Sequence, residues 1–440
     1  AAHEYETVLD SAPDDGGLWA RLYLAYTSMG RDRDANGAMK RVASLAGGEA
    51  EAWLLLGRIH NAEGRRAEAR RAFEKAAGIA PNDPRPWVSL GAASLVDGDV
   101  EQALVDYRAG LSHLPGDTAI TDRLVALLID IDSLSTAADA AESALSHHPD
   151  DLERRRRLAI LQMSVERFER SEVNLTAYVD SGGTDPGALL FLGRARLMLE
   201  RPDAQVNDAF DRFLAADSSA EAWNMVGTSF IAADRLAEAV GRLESAVSRY
   251  PESVDLHSLL GTAHIRAQEY DEAAVALMRA VELDSTDRAA RFNLASVYER
   301  VGRFDEAIAL FESLLAQDPD DASTLNYLGY MLADAGVRLF EAQTYIERAL
   351  EVEPDNYAYV DSYGWVLFRQ DFFERAVFSF ERAVELLEES GEIVQDDAVI
   401  YDHLGDTYSR LGRDEDARLM WRKALELDPD NEEIKHKVER

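Results

Sequence analysis

Four consecutive arginines, Arg154 to Arg157, form the one basic cluster of a chain in which 46 Lys and Arg face 82 Asp and Glu. Positive charge in the first turn of a helix opposes the macrodipole and is usually avoided. Arg154, Arg156 and Arg157 are therefore candidate contacts for an acidic partner segment or a C-terminal carboxylate. The alternative is a patch neutralised locally by Asp150, Asp151 and Glu153, or by a neighbouring unit. A second concentration is aromatic and runs from Tyr327 to Phe380. Exposed rings grip apolar side chains and a nearby amide pairs with extended backbone, which suits a peptide ligand; extra core is the competing reading. A third is the acidic stretch 388–397, read as a solvated loop.

Catalytic chemistry is not signalled. No HExxH, no P-loop, no GxSxG elbow and no GxGxxG turn occurs. His257 and His264 are seven apart and share a helix face, but with His60 they fall at inward-packing positions of the repeat described below, as core histidines do. The run Asp32-Arg-Asp34-Ala-Asn36-Gly37 mimics half of a calcium loop, yet the acid required at its twelfth position is Ala43. The expectation is a protein that is not an enzyme and holds no metal or cofactor.

Composition narrows the partners. The formal charge of −36 repels a polyanion, so nucleic acid is not expected as a ligand. With 47% apolar residues the chain can bury a core, and no apolar run approaches the roughly 18 residues of a membrane span. The absence of cysteine removes disulfides, thiolate sites and, within this stretch, a lipid-accepting thiol. Only five of the basic residues are lysine, which fits a GC-rich genome and, with the acidic excess, adaptation to high salt. Ala1 in place of Met leads to the expectation of a processed start.

The elements that must position these residues recur with a fixed period. Trp19, Trp53 and Trp87 are 34 apart, as are Gly193, Gly227, Gly261, Ala295 and Gly329. Each period reads as a helical hairpin. In 50–83, apolar residues recur at helical spacing to His60, Gly64 breaks the helix, and a second helix runs from Ala67 to about Ile79 before Pro81. Asp83 then caps the next helix and Pro84 opens it. Twelve such units cover 16–431. Residues 1–15 read as the second helix of a preceding repeat, 16–117 as three regular repeats and 118–219 as three degenerate ones. Six more follow over 220–431, with an insertion near 388–397, and 432–440 form a cap.

The spacing of Trp53-Leu-Leu-Leu-Gly57, Gly64, Ala69, Phe73, Ala76 and Pro81 resembles the tetratricopeptide repeat. The resemblance implies an all-α, right-handed superhelical solenoid whose first helices line a concave groove. Phe292, Asn326, Tyr330, Trp365 and Phe368 fall at groove-facing positions of that fold, and a protein or extended peptide is the implied partner. Units over 118–219 depart from the pattern, and a looser joint is expected near Ser181-Gly-Gly-Thr-Asp-Pro-Gly187. The lysine-rich clamp of some relatives is not matched.

The segments Leu325-Asn-Tyr-Leu-Gly-Tyr-Met-Leu-Ala-Asp334, Tyr359-Val-Asp-Ser-Tyr-Gly-Trp-Val-Leu367, His403-Leu-Gly-Asp-Thr-Tyr408 and Arg418-Leu-Met-Trp-Arg-Lys-Ala-Leu425 resemble Gram-negative envelope repeat proteins. Members of that family are outer-membrane lipoproteins in the periplasm that bind a carboxyl-terminal processing protease and present peptidoglycan hydrolases to it. The resemblance implies a non-catalytic adaptor in the periplasm, with a lipid-bearing segment upstream of Ala1 as its route to the outer membrane. The alternatives are a structural subunit of a secretion or surface-fibre assembly, and a cytosolic scaffold.

Overall fold

The computed structural model describes residues 2–439, and among these every regular element is helical. Helix Ala2–Leu9 is followed by twelve hairpins, from Gly16–Ser28 with Asp32–Ala46 to Ala398–Arg410 with Asp414–Leu427, and Glu432–Val438 closes the series. The first helices start at a periodic cap. Asp83, Asp117, Asp151, Asp185, Ser219, Ser253, Asp287 and Asp321 each accept a backbone N–H from the opening turn with the side chain. Such caps satisfy amide groups that have no carbonyl partner inside the helix. Asp32–Gly37, the calcium-loop mimic, lies within a helix.

The turn inside each hairpin needs a left-handed residue. Gly64, Gly98 and Gly302 supply it with φ between 74 and 77°. In the intervening hairpins the same position is taken by Asp132, Glu166, Glu200, Asp234 and Gln268, all with φ between 51 and 61°. A side chain in this region costs about 1–2 kcal/mol, so the glycine is dispensable at that expense.

The other glycine of the repeat answers to packing: alanine replaces it and stays buried at Ala159 and Ala295. A Cβ on Gly57 would lie 2.3 Å from the Phe73 ring, and one on Gly91 2.3 Å from Tyr107. Gly193 faces Phe210, Gly227 Leu243, Gly261 Leu277, Gly364 Phe380 and Gly405 Trp421 in the same way. The large residue of the second helix therefore fills the space left by the missing side chain of the first, and Phe73, Phe210, Leu243, Leu277 and Phe380 are buried as a result. The hairpin over 118–147 inverts the sizes. Val125 and Ala141 stand at these positions and both stay partly exposed.

The chain divides into two compact units, Ala1–Asp217 and Ser218–Arg440. In the first, Gly16–Ser28 touches Glu49–Ala62 and Pro84–Val96 touches Thr118–Asp130, so first helices lie against first helices. The turn at Ser181–Gly187 is bonded on both sides: the Asp185 amide donates to the Tyr178 hydroxyl at 3.1 Å, and Arg156 reaches Asp185 at 2.7 Å. The boundary of the unit falls beyond it, between Asp217 and Ser218. In the second unit, Ala220–Ala232 touches Val254–Arg266 and Ala322–Asp334 touches Tyr357–Arg369, again lining one face with first helices. The acidic insertion is only partly a loop. Helix Phe373–Ser390 runs 18 residues, against 14 for Leu339–Val352, and takes up Glu388 and Glu389 before Gly391 ends it. Lys423 and the Tyr401 hydroxyl hold Glu388 at 2.8 and 3.3 Å, and Asp397 is buried, accepting the Val394 amide at 2.9 Å.

The left-handed acids give a direct test. Glu166→Gly and Glu200→Gly should each stabilise the first unit by up to about 1 kcal/mol, the strain relieved less the added freedom of the unfolded chain. Urea unfolding followed by circular dichroism reads this, and unchanged midpoints would show that the two turns carry no strain.

Candidate functional site

The residue three places before each close-packed glycine points along the groove side of a first helix. In the second unit these positions hold Asn224, Ser258, Phe292, Asn326, Asp361 and Asp402, a mostly polar ladder. Buried hydrogen-bonding atoms without a partner gather on it and beside it: Ser258 Oγ, Asn326 Oδ1 and Trp365 Nε1. Two clefts open along the same helices. One of about 630 Å3 is lined by Glu221, Asn224, Asp255, Ser258, Asp287 and Asn293 among others. The other, about 270 Å3, is walled by Asn326, Tyr327, Tyr330, Tyr357, Asp361 and Ser362, with Asp396 and Asp397 at its edge.

Of the five groove residues expected from sequence, Asn326 and Tyr330 line the smaller cleft, and Phe368 lines another of about 380 Å3 with Arg410, Arg418 and Lys437. Trp365 stacks on Phe368 with centroids 5.2 Å apart and on His403 at 4.3 Å, while Tyr330 approaches His403 at 6.5 Å. Phe292 packs edge-on against Phe311 and Tyr327, both at 5.4 Å, and like Trp365 is partly buried against the core. Sequence reasoning passed over Asn224, Ser258, Asp361 and His403. The first three share the repeat phase of Asn326, and that phase was the available signal.

The arginine run lies in the first unit and is internally paired. Arg154 makes a fork with Asp122 at 2.6 and 2.9 Å and reaches Asp151 at 3.2 Å. Arg155 donates to the Pro149 carbonyl at 2.6 Å. Arg156 holds Glu153 at 2.8 Å and Asp185 at 2.7 Å, and Arg157 shares Glu153 at 2.8 Å. Hydrogen bonds from Arg156 and then Arg157 outweigh burial and hold the Glu153 carboxyl down to about 2. Arg154 and Arg157 border a cleft of about 360 Å3 lined by Val125, Ile129, Ala141, Leu158 and Leu161, where the size inversion leaves the hairpin open. His60 and His264 are buried, as core histidines, and His264 bonds Glu269 at 2.8 Å.

Among the described residues no group of acids and histidines forms a metal-ligand set, and no helix is long and apolar enough to cross a membrane. Family models described as tetratricopeptide repeat match residues 50–93, 156–221, 225–291, 265–328 and 398–431, together more than half of the chain. The TPR repeat-containing protein PA4667 of Pseudomonas aeruginosa is 30% identical over 139 residues, which is 31% of this chain and 24% of that protein. Superkiller complex protein 3 of Homo sapiens is 27% identical over 143 residues, 31% of this chain and 9% of its own length. The chain thus spans a quarter or less of either relative. The crystal structure of yeast Tom70 aligns over 95% of this chain and 94% of its own, at 15% identity and a TM-score of 0.44.

Under the aromatic stack lies a buried ionic pair. His403 Nδ1 is 3.1 Å from both carboxylate oxygens of Asp361, and both side chains are 7% exposed. Burial alone lowers an imidazole pKa, but Asp361 in contact, with Asp402 and Asp406 nearby, outweighs it and holds His403 above its usual value. Tyr330, Trp365 and Phe380 cover the ring, and Lys437 stands behind Asp402 and Asp406. A group whose folded pKa is raised contributes stability that is complete below its unfolded pKa, about 6.5, and lost as pH rises through the folded one. The thermal midpoint of the second unit should therefore fall by a few degrees as pH is raised from about 6 toward the alkaline side. In Asp361→Asn with His403→Gln, which keeps the shapes and removes the titration, the slope should flatten; an unchanged slope would place it on other groups.

Proposed function

The chain belongs to the tetratricopeptide repeat proteins, and from that premise we propose that it is a non-catalytic scaffold holding an extended segment of a partner protein in the groove of its second unit. The observation that carries this is the set of buried, unpaired groups along one lining: Ser258 Oγ, Asn326 Oδ1 and Trp365 Nε1. A buried polar group without a partner costs about 1–3 kcal/mol, and a partner's backbone offers donors and acceptors at regular intervals. Trp365 and Phe368 add a half-buried apolar surface beside them, the combination that anchors interface hot spots.

The finer reading is an adaptor in the bacterial envelope, in the periplasm and held at the outer membrane by a lipid anchor upstream of Ala1. It presents partner proteins, a processing protease and peptidoglycan hydrolases, to one another, and acts by raising effective concentration. Its support is the resemblance of the segments over 325–334, 359–367, 403–408 and 418–425.

Affinity capture from an envelope fraction, run with wild type and with Ser258→Ala plus Asn326→Ala, tests the reading. Each substitution removes a hydrogen bond to the partner worth about 1 kcal/mol, so the pair should weaken capture of the protease and hydrolases roughly tenfold or more with helicity unchanged. A stoichiometric set of assembly subunits retained equally by both would overturn it in favour of a structural component.

A further inference from the structure

The smaller cleft of the second unit has a chemistry more specific than the groove around it. Three tyrosines, Tyr327, Tyr330 and Tyr357, and three carboxylates, Asp361, Asp396 and Asp397, line about 270 Å3 with no lysine or arginine among them. The carboxylates do not converge into a metal-ligand set among the described residues, so a small ion is a poor occupant. Their charge is only partly met from within. Asp361 is paired with the buried His403 ring, Asp397 accepts the Val394 amide and the Tyr357 hydroxyl, and Asp396 is exposed with no ion pair among the described residues. Asn326 adds a buried, unpaired acceptor to the same wall. The adjoining larger cleft continues the bias, with Glu221, Asp255 and Asp287 and again no basic residue in its lining.

We propose that this cleft is an arginine pocket, which takes the guanidinium of an arginine presented by an extended partner segment. The inference rests on the groove reading above and names the partner's chemistry. A planar guanidinium stacks on tyrosine faces and offers five donors in a fixed fork, matched here by carboxylates and the Asn326 oxygen. An ammonium satisfies the charge but not the stacking or the fork. An acidic or apolar side chain leaves the acceptors unpaired. Burial is the main cause that raises the Tyr327 phenol, to about 12, and the Tyr330 phenol; Glu299 and Asp361 come next, and Arg300 opposes Glu299 at Tyr327.

The test is selection on the full chain from a library of acetylated, amidated eleven-residue peptides, random at the central positions. Arginine should be enriched at one fixed position. A citrulline peptide, equal in shape and uncharged, should bind at least tenfold more weakly, and a lysine peptide should fall in between. Asp396→Lys, at an exposed position, should abolish the arginine preference, while Glu244→Lys, the same charge change on an exposed second-helix position of the same unit, should leave binding within twofold. Equal binding of the citrulline or the lysine peptide, or equal effects of the two variants, overturns the arginine pocket. Enrichment of apolar or acidic residues overturns it too, yet leaves the groove reading intact if Asn326→Ala still weakens those peptides. Selected peptides indifferent to Asn326→Ala remove both.

Discussion

The close approach of the two helices in each hairpin sets the terms for everything else. In most hairpins the missing side chain of a glycine such as Gly57, Gly91 or Gly364 makes room for Phe73, Tyr107 or Phe380 between the two helices. That contact fixes the rotation of the first helix about its own axis. Once the glycine faces inward, the residue three places earlier lies about 60° around the same helix, at the border of the packed face. The ladder from Asn224 to Asp402 is thus a geometric consequence of the packing rule, repeated every 34 to 41 residues. Where the rule is inverted, at Val125 and Ala141, a cleft opens between helices instead.

Capping and electrostatics are linked through the same geometry. Every first helix needs an acceptor at its start, and aspartate serves at most of them. These caps place carboxylates along the rim of the groove, Asp287 in the larger cleft among them. Arginines act as stitches between neighbouring hairpins, some of them onto these same caps: Arg154 to Asp122, Arg266 to Asp234, Arg156 to the Asp185 cap and Arg288 to the Asp321 cap. Exposed pairs of this kind contribute little each, about 0–1 kcal/mol, but they cancel repulsion locally in a chain of charge −36. The two clefts lined by Glu221, Asp255 and Asp287 and by Asp361, Asp396 and Asp397 have no arginine or lysine in their lining.

The hairpins were legible in the sequence because one spacing encodes them several times over, in tryptophans, glycines, caps and prolines. The groove was legible only in part. Trp365, Phe368, Tyr330 and Asn326 stood out by type and phase, whereas Ser258 and Asp361 shared the phase but looked like ordinary polar residues. The partners of the arginine run, Asp122 and Asp185, lie about one repeat away and only folding brings them near. The acidic insertion misled for a local reason: nothing between Glu388 and Ser390 breaks a helix, so Phe373–Ser390 continues to Gly391.

An acidic groove by itself says little about a partner, because part of its charge is owed to helix capping. Asp361 and Asp396 are different. Asp361 is not a cap, stands at a groove position where Phe292 and Asn326 appear in neighbouring repeats, and is buried against His403. Asp396 comes from the short turn Gln395–Asp397, which exists only because of the insertion. The Asp361 carboxylate meets its bonds within the fold, with the His403 ring 3.1 Å from both oxygens, whereas Asp396 is exposed and makes no ion pair among the described residues. It is Asp396, with the unpaired Asn326 oxygen in the same cleft, that folding leaves for a cation supplied from outside.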